Sequence, residues 1–203
     1  VGAIAAYGAG ALVGAIAFDL VPESARLSAL DTSVWLLIGG LVFAVADRFV
    51  DSRFGGDGGA TSGGNPIGIV VGSVVDGVPE SVIFGIGVAT GLPLSLSFLA
   101  AVFISNVPQA LAPSADLAKT WPPVRLAAMW LAVVLVCGLA AAVGYASAVV
   151  LPAETGARAA AFAAGGLLAM LTDSLIPFAY EKGGIEAGVF TVVGFAVALA
   201  AAG

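Results

Sequence analysis

The chain of 203 residues contains no histidine, a single cysteine and few charged residues. Without histidine it can form neither an imidazole zinc site nor the His-Glu-x-x-His motif of metalloproteases. The lone Cys137 excludes an intramolecular disulfide and a thiolate cluster. Charged residues make up 10% of the chain, whereas soluble domains carry about 25%. The formal net charge of −6 excludes the basic surface that nucleic-acid binding requires.

Apolar residues are abundant instead, at 60% of the chain, and they fall into seven long segments. The segments are 1–24, 32–50, 66–91, 93–115, 124–151, 157–181 and 184–203. Because a bilayer core of about 30 Å takes roughly 20 helical residues, the pattern predicts an all-α, polytopic transmembrane helix bundle. We expect one transmembrane domain over 1–203, with a flexible Gly- and Ser-rich loop at about 51–65. The first residue is Val, so a missing upstream helix is a further expectation.

The basic residues predict an orientation. One side of the membrane holds the connections 51–65, 116–123 and 181–184, and five of the seven Lys and Arg residues lie in or beside them. This excess predicts that the side is cytoplasmic. We expect an integral protein of the inner (plasma) membrane of a prokaryotic cell, in contact with lipid.

Four of the apolar segments carry polar residues beside a proline. The stretch DGVPES contains Asp76 and Glu80, which are four residues apart and therefore share one helix face. The other polar residues of this kind are Asp19, Glu23, Ser105, Asn106, Gln109 and Asp173. An ionised carboxylate at the bilayer centre costs about 2.5 kcal/mol or more, and no Lys or Arg accompanies these residues in the segment interiors. A cation from outside is therefore their natural countercharge.

The prolines supply a second kind of ligand. Each removes the hydrogen bond to the carbonyl four residues earlier, and a free carbonyl is tolerated in the membrane where it lines a cavity. Carboxylate, amide and carbonyl oxygens together form a cation site. The alternative is structural, because a polar residue beside a proline kink can simply bond the freed backbone. Four such patterns without a basic partner favour the cation site.

At these residues the chain resembles the ZIP (Zrt/Irt-like) family of divalent-metal transporters. DGVPES and SNVPQA are similar to the paired metal-binding motifs on the fourth and fifth of the family's eight helices, and FDLVPES and TDSLIPF resemble its second and seventh. The resemblance implies that the seven segments are helices two to eight. Gly77 stands where the family has Asn, which argues against a second metal site. The implied metal ligands are Asp76, Glu80, Ser105, Asn106 and Gln109, and the candidate pathway or gate residues are Asp19, Glu23 and Asp173.

This ligand set favours a hard cation. Zinc prefers imidazole and thiolate, whereas carboxylate, amide and hydroxyl oxygens suit Mn²⁺, Mg²⁺ or Ca²⁺. The expected substrate is a divalent metal ion moved toward the cytoplasm, and Zn²⁺, Mn²⁺, Fe²⁺, Mg²⁺ and Ca²⁺ all remain open. A homodimer stays open as the oligomeric state.

Two other functions were weighed against transport. A ZIP-fold protein that has lost transport and acts as a sensor or scaffold would account for Gly77 and for Gln109 in place of the family's second Glu. An intramembrane enzyme would use paired aspartates as acid and base. The Gly-x-Gly-Asp pattern of intramembrane aspartyl proteases is absent from the sequence. We therefore expect no enzymatic activity.

Overall fold

The computed structural model describes residues 1–54, 66–90, 96–150 and 153–202. Within these ranges all regular structure is helical, which confirms the all-α prediction. The first helix, α1, comprises Gly2–Ala15, a π turn at Ile16–Leu20, Val21–Glu23 and a 3₁₀ turn at Ser24–Arg26. The next four are α2 (Ala29–Phe54), α3 (Pro66–Thr90), α4 (Leu96–Leu117) and α5 (Pro123–Val150). The last two are α6, which comprises Ala153–Met170, a π turn at Leu171–Leu175 and Ile176–Gly183, and α7 (Glu186–Ala202).

These seven helices match the seven predicted segments in order, and their ends differ from the predicted ones by at most four residues. Helices α1 to α6 are each long and apolar enough to cross a membrane. At 1.5 Å per residue, the 17 residues of α7 span about 25 Å and are also apolar. The chain is an integral membrane protein. Large apolar side chains on α2 and α5, such as Leu37, Leu41, Leu131 and Leu139, are mostly exposed. Helices that are hydrophobic on every side present such residues to lipid.

The predicted connections differ from the structure in detail. Residues 51–54 continue α2 as helix instead of opening the predicted loop. Residues 55–65, and the break between the predicted segments 66–91 and 93–115, lie outside the described residues. Helix α6 ends at Gly183, two residues beyond the predicted segment. Gly184 follows it with φ +59°, a positive angle that glycine adopts readily.

The most deeply buried residues belong to α1 and α6, at the centre of the bundle. Leu12, Leu167, Leu171 and Leu175 are almost fully buried, together with the alanines of both helices. Around this centre, α1 packs against α4, α7 and the second part of α6, α2 packs against the first part of α6, and α3 packs mainly against α5. Small residues at these contacts allow the helix backbones to come close, because larger side chains there would hold the helices apart.

The four proline motifs adopt two different backbone conformations. Pro22 and Pro177 each follow a π turn, in which the amides of Val21 and Ile176 donate to carbonyls five residues earlier. Pro79 and Pro108 lie inside unbroken α-helices. A π turn adds a residue to one turn of the helix, so it changes which side chains face a neighbouring helix.

Candidate functional site

A cavity of about 320 Å³ lies between α3, α4, α5 and the π turn and second part of α6. Four of the five predicted ligands line it: Asp76, Glu80, Asn106 and Gln109. No Lys or Arg is found among the described residues of its lining. The volume is sufficient for several water molecules, so the polar side chains do not fill the space themselves.

Glu80 is held in place by Asn106. The Glu80 side chain is on the interior of the bundle, with 4% of the residue exposed. Asn106 Nδ2 donates to Glu80 Oε2 at 2.8 Å and to the carbonyl of Val102, one turn earlier on α4, also at 2.8 Å. These two bonds use both amide hydrogens of Asn106, and its side-chain oxygen is a further acceptor. The pair therefore presents oxygen atoms from two helices at one wall.

Asp76 lies one turn before Glu80 on α3 and is half-buried. The hydroxyl of Ser174, which the π turn of α6 carries to the cavity, makes a long hydrogen bond of 3.4 Å to Asp76 Oδ2. The same hydroxyl is 3.3 Å from the carbonyl of Met170. Asp47 on α2 and Asp173 on α6 are near enough to act electrostatically on Asp76. These like charges make the surroundings of Asp76 favourable for a cation.

Ser105 does not join the other predicted ligands. It is 1% exposed, its hydroxyl donates to the carbonyl of Val102 at 2.9 Å, and its backbone packs against Gly8 of α1. The lining of the cavity does not include it. Ser105 is therefore placed at the contact between α1 and α4, and the structure does not support a ligand role for it.

Of the three candidate gate residues, the structure describes the side chains of two, Asp19 and Asp173. Asp19 is half-buried in the π turn of α1, and Asp173 is exposed in the π turn of α6, beside Ser174. Neither lines the cavity. The side chain of Glu23 lies outside the described part of the structure.

Several polar residues of the lining were not predicted, and Ser174 and Cys137 are two of them. Ser174 stands three residues before Pro177, as Asp76 stands three residues before Pro79, so the proline spacing was a signal that could have identified it. Cys137 lies in an apolar stretch of α5. Nothing in the sequence marks it, because only the packing of α5 against α3 brings it to the cavity.

Ion pairs do not neutralise the cavity. Within the described ranges, Lys119 pairs with Asp116, Arg158 with Glu154 and Lys182 with Glu181, and these side chains are all exposed or half-exposed. Also within those ranges, no three His, Cys, Asp or Glu side chains converge closely enough to form a metal site. The two carboxylates of the cavity would thus need amides, hydroxyls or water to complete the coordination of a cation.

Comparison of the chain with models of protein families and with curated proteins found no match. The resemblance to the ZIP family is consequently carried by the four motifs alone and stays a prediction.

Proposed function

We propose that the protein transports a divalent metal cation across the membrane toward the cytoplasm, as a divergent member of the ZIP family in a prokaryotic plasma membrane. One observation carries the proposal. A cavity inside a bundle of membrane-length helices holds Asp76 and Glu80, one turn apart, and its described lining contains no basic side chain.

The charge of the cavity supports a divalent ion. Removing a carboxylate from water costs several kcal/mol unless a charge of opposite sign accompanies it. Two carboxylates carry a formal charge of −2, which one divalent cation balances. Because the cavity also has room for water, a cation such as Mn²⁺ or Mg²⁺ can keep part of its hydration shell while bound.

The neutral amide side chains of the cavity support transport of the ion rather than its tight storage. Asn106 and Gln109 offer amide oxygens where further carboxylates would hold the cation more strongly. Conduction requires binding that is strong enough for entry and weak enough for release. Asn106 also keeps Glu80 in position through its 2.8 Å hydrogen bond, so the site needs little rearrangement to accept an ion.

Mn²⁺ flux into proteoliposomes tests the proposal, with Asp76→Asn and Glu80→Gln as isosteric variants that each remove one charge. We expect each variant to reduce flux at least tenfold. The control is Glu154→Gln, which removes a carboxylate that pairs with Arg158 and does not line the cavity, and this variant should leave flux within twofold. Unchanged flux in both cavity variants would refute the proposed site.

Calorimetry on the same proteins separates transport from the sensor or scaffold alternative. Binding of Mn²⁺ that requires Asp76 and Glu80, without flux in proteoliposomes, would favour a sensor. Absence of binding by Mn²⁺, Zn²⁺, Fe²⁺, Ca²⁺ and Mg²⁺ up to millimolar concentration would favour a scaffold.

A further inference from the structure

An apolar cluster lies beyond one end of the cavity, where α4 ends and α3 and α5 begin. Its members are two buried residues and four half-buried residues packed against them: Leu117 and Met129, with Val70, Trp121, Leu126 and Trp130. Val70 is one turn before the lining residue Ser73 on α3, and Leu117 is two turns after the lining residue Ala110 on α4. The cluster therefore lies between the cavity and that end of the bundle.

Trp130 belongs both to the apolar cluster and to the lining of the cavity. Its indole nitrogen donates to Ser114 Oγ at 2.8 Å, and this bond joins α5 to α4 at the end of the cavity. Because an indole has a single hydrogen-bond donor, this bond fixes the orientation of the ring. The ring is thereby held at the boundary between the polar cavity and the apolar cluster.

Helix α4 has a weak point directly before Ser114. Pro113 lies inside the helix, and a proline removes the hydrogen bond to the carbonyl four residues earlier, which here is that of the lining residue Gln109. One backbone hydrogen bond is therefore missing between the cavity and the end of α4, and helices bend at such positions. A bend at Pro113 would move Ser114 relative to Trp130, so the bond between these two side chains opposes it.

We propose that Trp130 and the apolar cluster form a gate between the cavity and the end of the bundle that carries the 116–123 connection, and that the hydrogen bond to Ser114 keeps this gate closed. The inference rests on the proposed function, in which that end is cytoplasmic and the gate controls release of the cation. Bending of α4 at Pro113 breaks the bond, frees the ring of Trp130 and admits water. An apolar constriction conducts ions only when water fills it. Trp130 controls access to the site and is not a ligand.

Cys137 is a built-in reporter for this gate, because it lines the cavity and is the only cysteine of the chain. Membrane vesicles with the cytoplasmic face outward are treated with a charged, impermeant methanethiosulfonate reagent, and mass spectrometry of the purified chain gives the rate of modification. Ser114→Ala removes the acceptor, and Trp130→Phe removes the donor but retains an aromatic ring. A neutral hydrogen bond corresponds to about a two- to tenfold change in an equilibrium constant. Each variant should therefore raise the rate by this factor.

Three controls separate a gate from general loosening of the bundle. The double variant breaks the same bond and should react no faster than either single variant. Trp35→Phe, on α2 and outside the described lining, should leave the rate unchanged. A reporter outside the lining on α5, Ser147→Cys in a Cys137→Ser background, should not respond to Ser114→Ala. Unchanged rates in both single variants, additive effects in the double variant, or an equal rise at position 147 would overturn the inference.

The two proposals fail in different ways. If Mn²⁺ neither binds nor crosses, yet breaking the bond to Ser114 exposes Cys137, the transport proposal fails and the closure of the cavity by Trp130 stands. If Mn²⁺ flux depends on Asp76 and Glu80, but neither variant changes the reactivity of Cys137, the inference about the gate fails alone.

Discussion

Replacement of Gly77 by alanine would test the packing that forms the wall of the cavity. The new methyl group would lie 2.8 Å from Cys137 Sγ, whereas non-bonded heavy atoms are best placed about 3.5–4.0 Å apart. An overlap of roughly 1 Å must then be relieved by rotation of the Cys137 side chain or by separation of α3 from α5. Overpacking of this kind costs about 1–3 kcal/mol.

The matched control is Gly138→Ala, at the residue next to Cys137. A Cβ there meets nothing within 4 Å, so this variant gains the better helix propensity of alanine, about 1 kcal/mol, at no steric cost. Gly77→Ala gains the same propensity but must also accommodate the overlap. The difference between the two variants therefore isolates the contact with the sulfur.

Thermal unfolding in detergent is the assay. For a chain of this size, about 1 kcal/mol corresponds to roughly 2–4 °C in Tm, so Gly77→Ala should unfold about 2–12 °C below Gly138→Ala. The double variant Gly77→Ala with Cys137→Ala removes the atom that the methyl group meets and should recover most of this difference. Equal Tm values for Gly77→Ala and Gly138→Ala, or strictly additive effects in the double variant, would refute the placement of the sulfur.

Two further substitutions probe the α4 side of the cavity by calorimetry with Mn²⁺. Ser105→Ala should leave the Kd for Mn²⁺ within twofold, because Ser105 packs against α1 and its hydroxyl donates to a carbonyl of its own helix. A tenfold loss of Mn²⁺ affinity would instead identify Ser105 as a ligand. Asn106→Leu removes the hydrogen bond to Glu80, and bonds to charged groups contribute about 1.5–3 kcal/mol. We expect Mn²⁺ binding to weaken tenfold or more, and an unchanged Kd would show that Glu80 needs no support.

The number and order of the helices were predictable because the bilayer imposes a simple demand. Each crossing needs about 20 apolar residues, and interruptions by glycine, proline and charge mark the breaks between crossings. The π turns at Ile16–Leu20 and Leu171–Leu175 were not predicted. A shift of the backbone hydrogen bonds by one residue leaves the hydropathy of a segment unchanged. The four proline motifs therefore looked alike in sequence although their backbones differ.

The candidate site was predictable on α3 and less so on α4. Asp76 and Glu80 share a face because α3 is an unbroken α-helix around them, so the spacing of four was a sound guide. On α4, the same spacing of four separates Ser105 from Gln109, but the cavity lining includes Asn106 and Gln109 and not Ser105. The face that holds Ser105 is covered by α1 at Gly8. Which neighbour covers which face depends on tertiary packing, and a helical period alone does not specify it.

Proline spacing by itself does not select the polar residues that reach the cavity. Asp19, Asp76, Ser105 and Ser174 each stand three residues before a proline, yet the cavity contains only Asp76 and Ser174. These two belong to α3 and α6, which face each other at the cavity and meet in the 3.4 Å hydrogen bond. A displacement of the π turn of α6 would remove the hydroxyl partner of Asp76 and change how strongly that carboxylate holds a cation. A change of conformation at the contact between α3 and α6 would therefore act on a cation that is bound as proposed.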